Sequence, residues 1–177
     1  MPKIVAVSWT INNWKTTCLD KWSKCNTVRI YPEIARAVIE QGDKKTMKDI
    51  QTEISRQEYA RSKELKERLS KKRQKKLFLT DRTTVENSFF MEYGKIIGKI
   101  PSYVKPYAIS WGLDIYDKII LFVDSIHDDP KSIRASDEFR EFYLQRMRET
   151  FPSSILHEFK TYKDDQEAVD AIISEYV

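Results

Sequence analysis

Glycine is scarce in this chain. There are four in 177 residues, about 2% where ordinary usage is about 7%. A protein that alternates strands and helices needs glycine at tight turns and helix ends, so other residues must fill some of those places. Cysteine is scarcer still, with only Cys18 and Cys25. Two thiols are too few for a disulfide scaffold and lack partners for a zinc site; they read as free thiols of a reducing compartment. No run of about 18 apolar residues occurs, so no membrane span is expected. The N-terminus enters an apolar run at once, without the basic-then-apolar pattern of a signal peptide. The expected location is the cytoplasm. An excess of one charge is also lacking: 31 Lys and Arg stand against 27 Asp and Glu, a formal charge of +4. That is too small to argue for a nucleic-acid or membrane partner.

What is present starts with Lys3 to Thr17, KIVAVSWTINNWKTT. Ile4, Val5, Ala6 and Val7 form a short apolar run of the kind that makes a fully buried strand. Trp9, four residues, Trp14, Lys15 and Thr16 follow. The spacing is that of G-x-x-x-x-G-K-[ST], the loop that wraps phosphates with backbone N–H groups, but both glycines are tryptophan.

Further along, Lys15 to Ser23 predicts a helix with Leu19 and Trp22 facing inward, and Val28 to Tyr31 a second strand. Ile34 to Gln41 predicts a helix, with Gly42 as its stop signal. Thr46 is the expected N-cap of a long polar helix to about Lys76. Its apolar positions thin out beyond Tyr59 to Leu65 and Leu69, which predicts a solvated arm. Leu77 to Thr80 reads as a strand ending in Asp81-Arg82, and Thr84 as the cap of a helix through about Ile97. A short helix is expected between Pro106 and Gly112. Lys118 to Asp124 is the clearest strand, followed by the polar loop HDDPKSIR. A helix from Ser136 to about Thr150 carries Phe139, Phe142, Tyr143 and Met147 as its buried stripe. Ile155 to Phe159 and Asp165 to Tyr176 supply a fifth strand and a closing helix. Short buried strands alternating with helices predict one α/β domain over 1–177, a parallel sheet covered on both faces. In such a sheet ligands sit beyond the carboxyl ends of the strands. Lys15, Thr16, Glu33, Asp81 and Arg82 all fall at or just after strand ends.

These pieces, in this order, resemble P-loop kinases: VAVSWTINNWKTT, YPEIARAVIEQG, LFLTDR before a helix, and KIILFVD with DDPKSIR. The pattern is most similar to the NadR-type AAA family of small-molecule kinases, and more distantly to deoxynucleoside and thymidylate kinases. The resemblance implies a three-layer α/β/α fold with five parallel strands in the order 2-3-1-4-5. It also implies ATP and Mg²⁺ as cofactors, and a nucleoside, nucleotide or related small metabolite as phosphoryl acceptor. Trp9, Thr10, Ile11, Asn12, Asn13, Trp14, Lys15, Thr16 and Thr17 would line the phosphates. Lys15 would reach the β- and γ-phosphates, while Thr16 and Asp81 would hold the metal. Glu33 would engage the acceptor hydroxyl as base, and Arg82 would steady the acceptor or the transferring phosphate. Arg134 and Arg140 match arginines of a lid at about 125–136 that closes over the phosphates.

Plainer readings stand beside these. Glu33 and Arg36 suit a surface i,i+3 ion pair. The basic run Arg61 to Lys76 suits a solvated helix end, and His127 and His157 are assigned nothing. The tryptophans leave three explanations open: a pseudokinase that keeps the fold as an interaction module, engineered or mutated residues, or glycines misread in translation. UGA is read as tryptophan in one variant genetic code and as glycine in another. A misreading would account for Trp9 and Trp14 and for the glycine shortage, and would extend to Trp22 and Trp111.

Overall fold

The computed structural model describes residues 3–8, 14–40, 46–70, 77–103, 113–124 and 136–177, the side chains of Trp14 and Met47 excepted. The elements run β1 (Lys3–Ser8), α1 (Trp14–Ser23), β2 (Val28–Tyr31), α2 (Ile34–Glu40), α3 (Met47–Leu69) and β3 (Leu77–Asp81). They continue with α4 (Glu86–Ile96), β4 (Lys118–Phe122), α5 (Asp137–Thr150), β5 (Leu156–Phe159) and α6 (Gln166–Ser174). The five strands form one sheet in the order β2-β3-β1-β4-β5. Every pairing is parallel, with Val5 opposite Leu79 on one side of β1 and opposite Lys118 on the other. The expected class and strand order hold.

The two-residue period of a strand sorts the apolar residues onto two faces. Ile4, Ala6, Phe78, Ile119 and Leu121 face a cluster that includes Leu65 of α3, Phe89 of α4 and Phe139, Tyr143 and Met147 of α5. Val5, Val7, Leu77, Leu79, Ile120 and Phe122 face the other way, onto Cys18 and Leu19 of α1 and Val169 and Ile173 of α6. Helices therefore cover both faces, which is why the strands read as continuous hydrophobic runs. Trp22 packs against the second cluster, and its indole N–H donates to Asp170 of α6 at 2.9 Å. Trp111, like the short helix expected before Gly112, lies outside the described residues.

Three expectations need correction. Thr46 does cap α3, in a reciprocal box with Asp49, but the far half of that helix is not a solvated arm. Leu65 is fully buried in the first cluster, and Ser62 and Glu58 are buried on the same side. The buried stripe continues past Tyr59 on polar residues, which a count of apolar positions misses. The described helix ends at Leu69, and residues 71–76 lie outside the described part. Thr84 does not cap α4. The N-cap residue is Val85, with no side-chain bond, and the Thr84 N–H donates instead to the Tyr116 hydroxyl at 2.7 Å. In α5 the buried stripe is Phe139, Tyr143 and Met147, while Phe142 packs only partly buried at its edge.

The burial of Leu65 gives a direct check. Leu65→Ala should destabilise the fold by about 2–5 kcal/mol in denaturant unfolding, as core truncations do. A loss within about 0.5 kcal/mol, the usual surface value, would restore the solvated arm.

Candidate active site

The carboxyl ends of β1, β2 and β3 meet the first turn of α1, and there the chain gathers its charges. Lys15 is 4% exposed. Its Nζ donates to Asp81 Oδ1 at 2.5 Å and stands 3.9 Å from Glu33 Oε2. Arg82 completes the arrangement: its Nε donates to Glu33 Oε1 at 2.7 Å, and its Nη1 lies 3.4 Å from Glu86 Oε2. Four of the five residues singled out at strand ends, Lys15, Glu33, Asp81 and Arg82, are thus brought together. Glu33 pairs with Arg82 and Lys15 rather than closing an isolated surface pair with Arg36.

Glu86 was read only as a helix residue, yet it anchors the site. It is fully buried. Its Oε1 accepts from Ser8 Oγ at 2.5 Å and from the Thr83 N–H at 2.6 Å, and its Oε2 accepts from the Tyr143 hydroxyl at 2.6 Å. One carboxylate so ties the end of β1, the turn after β3 and the middle of α5. Its only local signal is its place one turn after Asp81-Arg82. Its partners Ser8 and Tyr143 lie 78 and 57 residues away.

The backbone bends to serve this network. Arg82 has φ 75°, the one positive value at a non-glycine among the described residues. Such a conformation costs on the order of 1–3 kcal/mol and persists where the surroundings fix it. Here its N–H donates to the Val7 carbonyl at 3.0 Å, its guanidinium lies between Glu33 and Glu86, and its charge sits over the Phe90 ring at 5.2 Å.

Burial and partners set the charge states. Burial pulls the Lys15 ammonium down, helped by Arg82, while Asp81 and Glu33 oppose the fall. Burial works against ionised Glu33, but Arg82 and Lys15 outweigh it and hold this carboxyl below its ordinary range. Burial likewise opposes the Arg82 charge, and Glu33 and Glu86 more than compensate. Glu33 is therefore a fixed anion, able to accept a hydrogen bond from a hydroxyl brought against it.

The remaining expected residues are less gathered. Thr16 and Thr17 follow Lys15 on α1, and Arg140 lies in the first turns of α5, 3.4 Å from Asp137. Trp9, Thr10, Ile11, Asn12, Asn13 and Arg134 lie outside the described residues, as does nearly all of the expected lid. Among the described residues no three His, Cys, Asp or Glu side chains form a metal cage, and no helix is long and apolar enough to cross a membrane.

Beside the network lies a second residue that its polarity hid. Glu58 of α3 is buried, and burial together with Glu86 pushes its carboxyl well above the ordinary range, with Arg82 and Arg61 opposing. Glu33 and Tyr116 also face it. A raised folded value means that the native state binds the extra proton. The stability it contributes is full below the ordinary glutamate value and is lost as pH rises toward the folded value. Glu58→Gln should leave the melting temperature unchanged at pH 4 and raise it at pH 8, by roughly 2–4 °C for each kcal/mol recovered. Equal differences at both pH values, measured by thermal scans, would show that Glu58 does not titrate on unfolding.

No protein-family model and no curated protein matches the chain. Solved structures do. Deoxyadenosine kinase from M. mycoides with the products dCMP and a flexible dCDP bound is 18% identical, with a TM-score of 0.64 over 97% of each chain. The same enzyme with bound dATP gives 17% identity and a TM-score of 0.60 over 97% of this chain and 98% of the other. Near-complete coverage in both directions, with a parallel sheet in the order 2-3-1-4-5, shows that this chain has a P-loop kinase fold.

Proposed function

We propose that the protein is an Mg-ATP-dependent kinase whose acceptor is a nucleoside, in preference to a nucleotide or another small metabolite. The observation that carries this reading is the convergence of Lys15, Glu33, Asp81 and Arg82 in one buried network at the carboxyl edge of the sheet. Phosphoryl transfer asks a protein for positioning and positive charge more than for covalent chemistry, and this set supplies both. The fold likeness to deoxyadenosine kinases supports the nucleoside as acceptor.

Lys15, in the first turn of α1, meets the phosphates where the helix N-terminus also favours negative charge. Glu33 accepts the hydrogen bond of the acceptor hydroxyl and takes its proton as the new O–P bond forms and the bond to the ADP oxygen breaks. Arg82, held by Glu33 and Glu86, places a fixed positive charge beside the transferring group. Asp81 and Thr16 offer a carboxylate and a hydroxyl, hard oxygens of the kind Mg²⁺ takes alongside substrate phosphates. When bound, the ion neutralises phosphate charge. Arg134 and Arg140 are the arginines assigned to lid closure.

Trp9 and Trp14 set the form of the test. At 100 times its Kd, Mg-ATP should stabilise the protein by about 2.7 kcal/mol, read as a rise in melting temperature that Lys15→Ala removes. Phosphorylation of a nucleoside panel from labelled ATP should appear in the native chain or in its Trp9→Gly/Trp14→Gly form. Lys15→Ala in the active form should reduce turnover about 10²–10³-fold. Turnover that survives the loss of Lys15 overturns the assignment. A native chain without any shift, beside an active double-glycine form, identifies the two tryptophans as the obstruction.

A further inference from the structure

Tyr143 stands in the middle of α5, inside an aromatic wall. It is fully buried, and its ring packs against those of Phe89, Phe90 and Phe139 at centroid distances of 6.2, 6.1 and 6.1 Å. Phe90 is shared, since its ring also carries the Arg82 charge at 5.2 Å. A phenylalanine would serve that wall as well as a tyrosine. What the hydroxyl adds is a bond to Glu86 Oε2 at 2.6 Å, and burial together with Glu86 holds it protonated, as a donor.

Glu86 divides its two oxygens. Oε1 accepts from Ser8 Oγ at 2.5 Å and from the Thr83 N–H at 2.6 Å. Oε2 accepts from Tyr143 and, at a longer 3.4 Å, from Arg82 Nη1. Arg82 holds Glu33 Oε1 more closely, at 2.7 Å. The guanidinium is thus shared unequally between two carboxylates, and the Tyr143 hydroxyl satisfies the oxygen that competes for it. A buried carboxylate oxygen that loses a donor is costly until it finds another, and Arg82 already stands within reach. We propose that Tyr143 is a positioning residue of the transfer reaction: by occupying Glu86 Oε2, its hydroxyl leaves the Arg82 guanidinium to Glu33. This inference rests on the kinase reading above, in which Glu33 is the base and Arg82 the fixed charge beside the transferring group.

The consequence falls on Glu33. Burial pushes its carboxyl up, while Arg82 of the β3–α4 turn, Lys15 of α1 and Arg36 of α2 pull it down; Glu58 of α3 faces the same pair. Without the Tyr143 hydroxyl, Arg82 moves toward Glu86, and Glu33 keeps its proton to higher pH. A base that must be ionised to take the acceptor's proton then fails on the acid side first. Neutralising Glu86 has the reverse effect: Arg82 goes wholly to Glu33, which then ionises at lower pH.

The pH profile of kcat provides the test, taken on the native chain or on its Trp9→Gly/Trp14→Gly form. Tyr143→Phe removes the hydroxyl and keeps the ring. It should lower kcat about tenfold at the acid end and less than about threefold on the plateau, so that the acid limb moves to higher pH while the Mg-ATP KM holds. Glu86→Gln should move the same limb to lower pH. A limb that Tyr143→Phe leaves in place, or that both variants move in one direction, overturns the proposal, since general loosening of the site would shift both alike. If neither form phosphorylates a nucleoside, the kinase reading fails, and carbon NMR titration of the Glu33 carboxyl in the ligand-free protein decides the Tyr143 coupling separately. A midpoint that Tyr143→Phe raises sustains the coupling, and an unchanged midpoint overturns it.

Discussion

The buried ion network at the edge of the sheet is the constraint on which the site depends. Lys15, Glu33, Asp81, Arg82 and Glu86 come from different stretches of the chain, and each is held where solvent screens it weakly. Charges in such a place are stable only with their partners: removing one member of a buried pair typically costs about 3–5 kcal/mol, because the other is left uncompensated. The network therefore fixes geometry as well as charge. Arg82 takes its left-handed backbone between Glu33 and Glu86. Ser8 at the end of β1 and Tyr143 in α5 bind the same carboxylate. The geometry of the site and the fold are joined in these bonds.

The parallel sheet explains why the network lies where it does. With β1 between β3 and β4, the ends of β1 and β3 open side by side, and β2 delivers Glu33 from the next position. The helix that follows β1 brings Lys15 to the same edge. The α3–α4 side forms a separate wall, carrying Ser55, Glu58, Ser62 and Asn87 as buried polar residues. One wall gathers groups suited to phosphate and hydroxyl chemistry, and the other spends its hydrogen bonds within the protein, as Asn87 does on Ser55 and Ser62 on the Glu58 carbonyl.

Much of this was legible in the chain because its signals are local. Ile4–Val7, Leu77–Leu79 and Ile119–Phe122 are apolar on both faces and so declare buried parallel strands. Lys15, Glu33, Asp81 and Arg82 follow strand ends, where this kind of sheet places its ligands, so their convergence could be read from order alone. The cap at Thr46 was visible too, since its partner Asp49 lies within one turn.

What tertiary structure alone decided are the polar residues that became interior. Glu86, Glu58, Ser62 and Tyr143 look like ordinary members of helices, because burial of a polar group depends on a partner that is distant in sequence. Tyr143 reaches Glu86 across 57 residues and Ser8 does so across 78; no periodicity within a helix records such a pairing. The same blindness made the far half of α3 look like a solvated arm, when Leu65 closes a core and Ser62 is buried beside it. The sequence by itself determined the strands and the charges at their ends, since hydrophobic runs and strand-end positions are local properties, while the strand order came from the resemblance to P-loop kinases. The assembled sheet and helices decided which of the remaining charges are buried, because that depends on what packs against them.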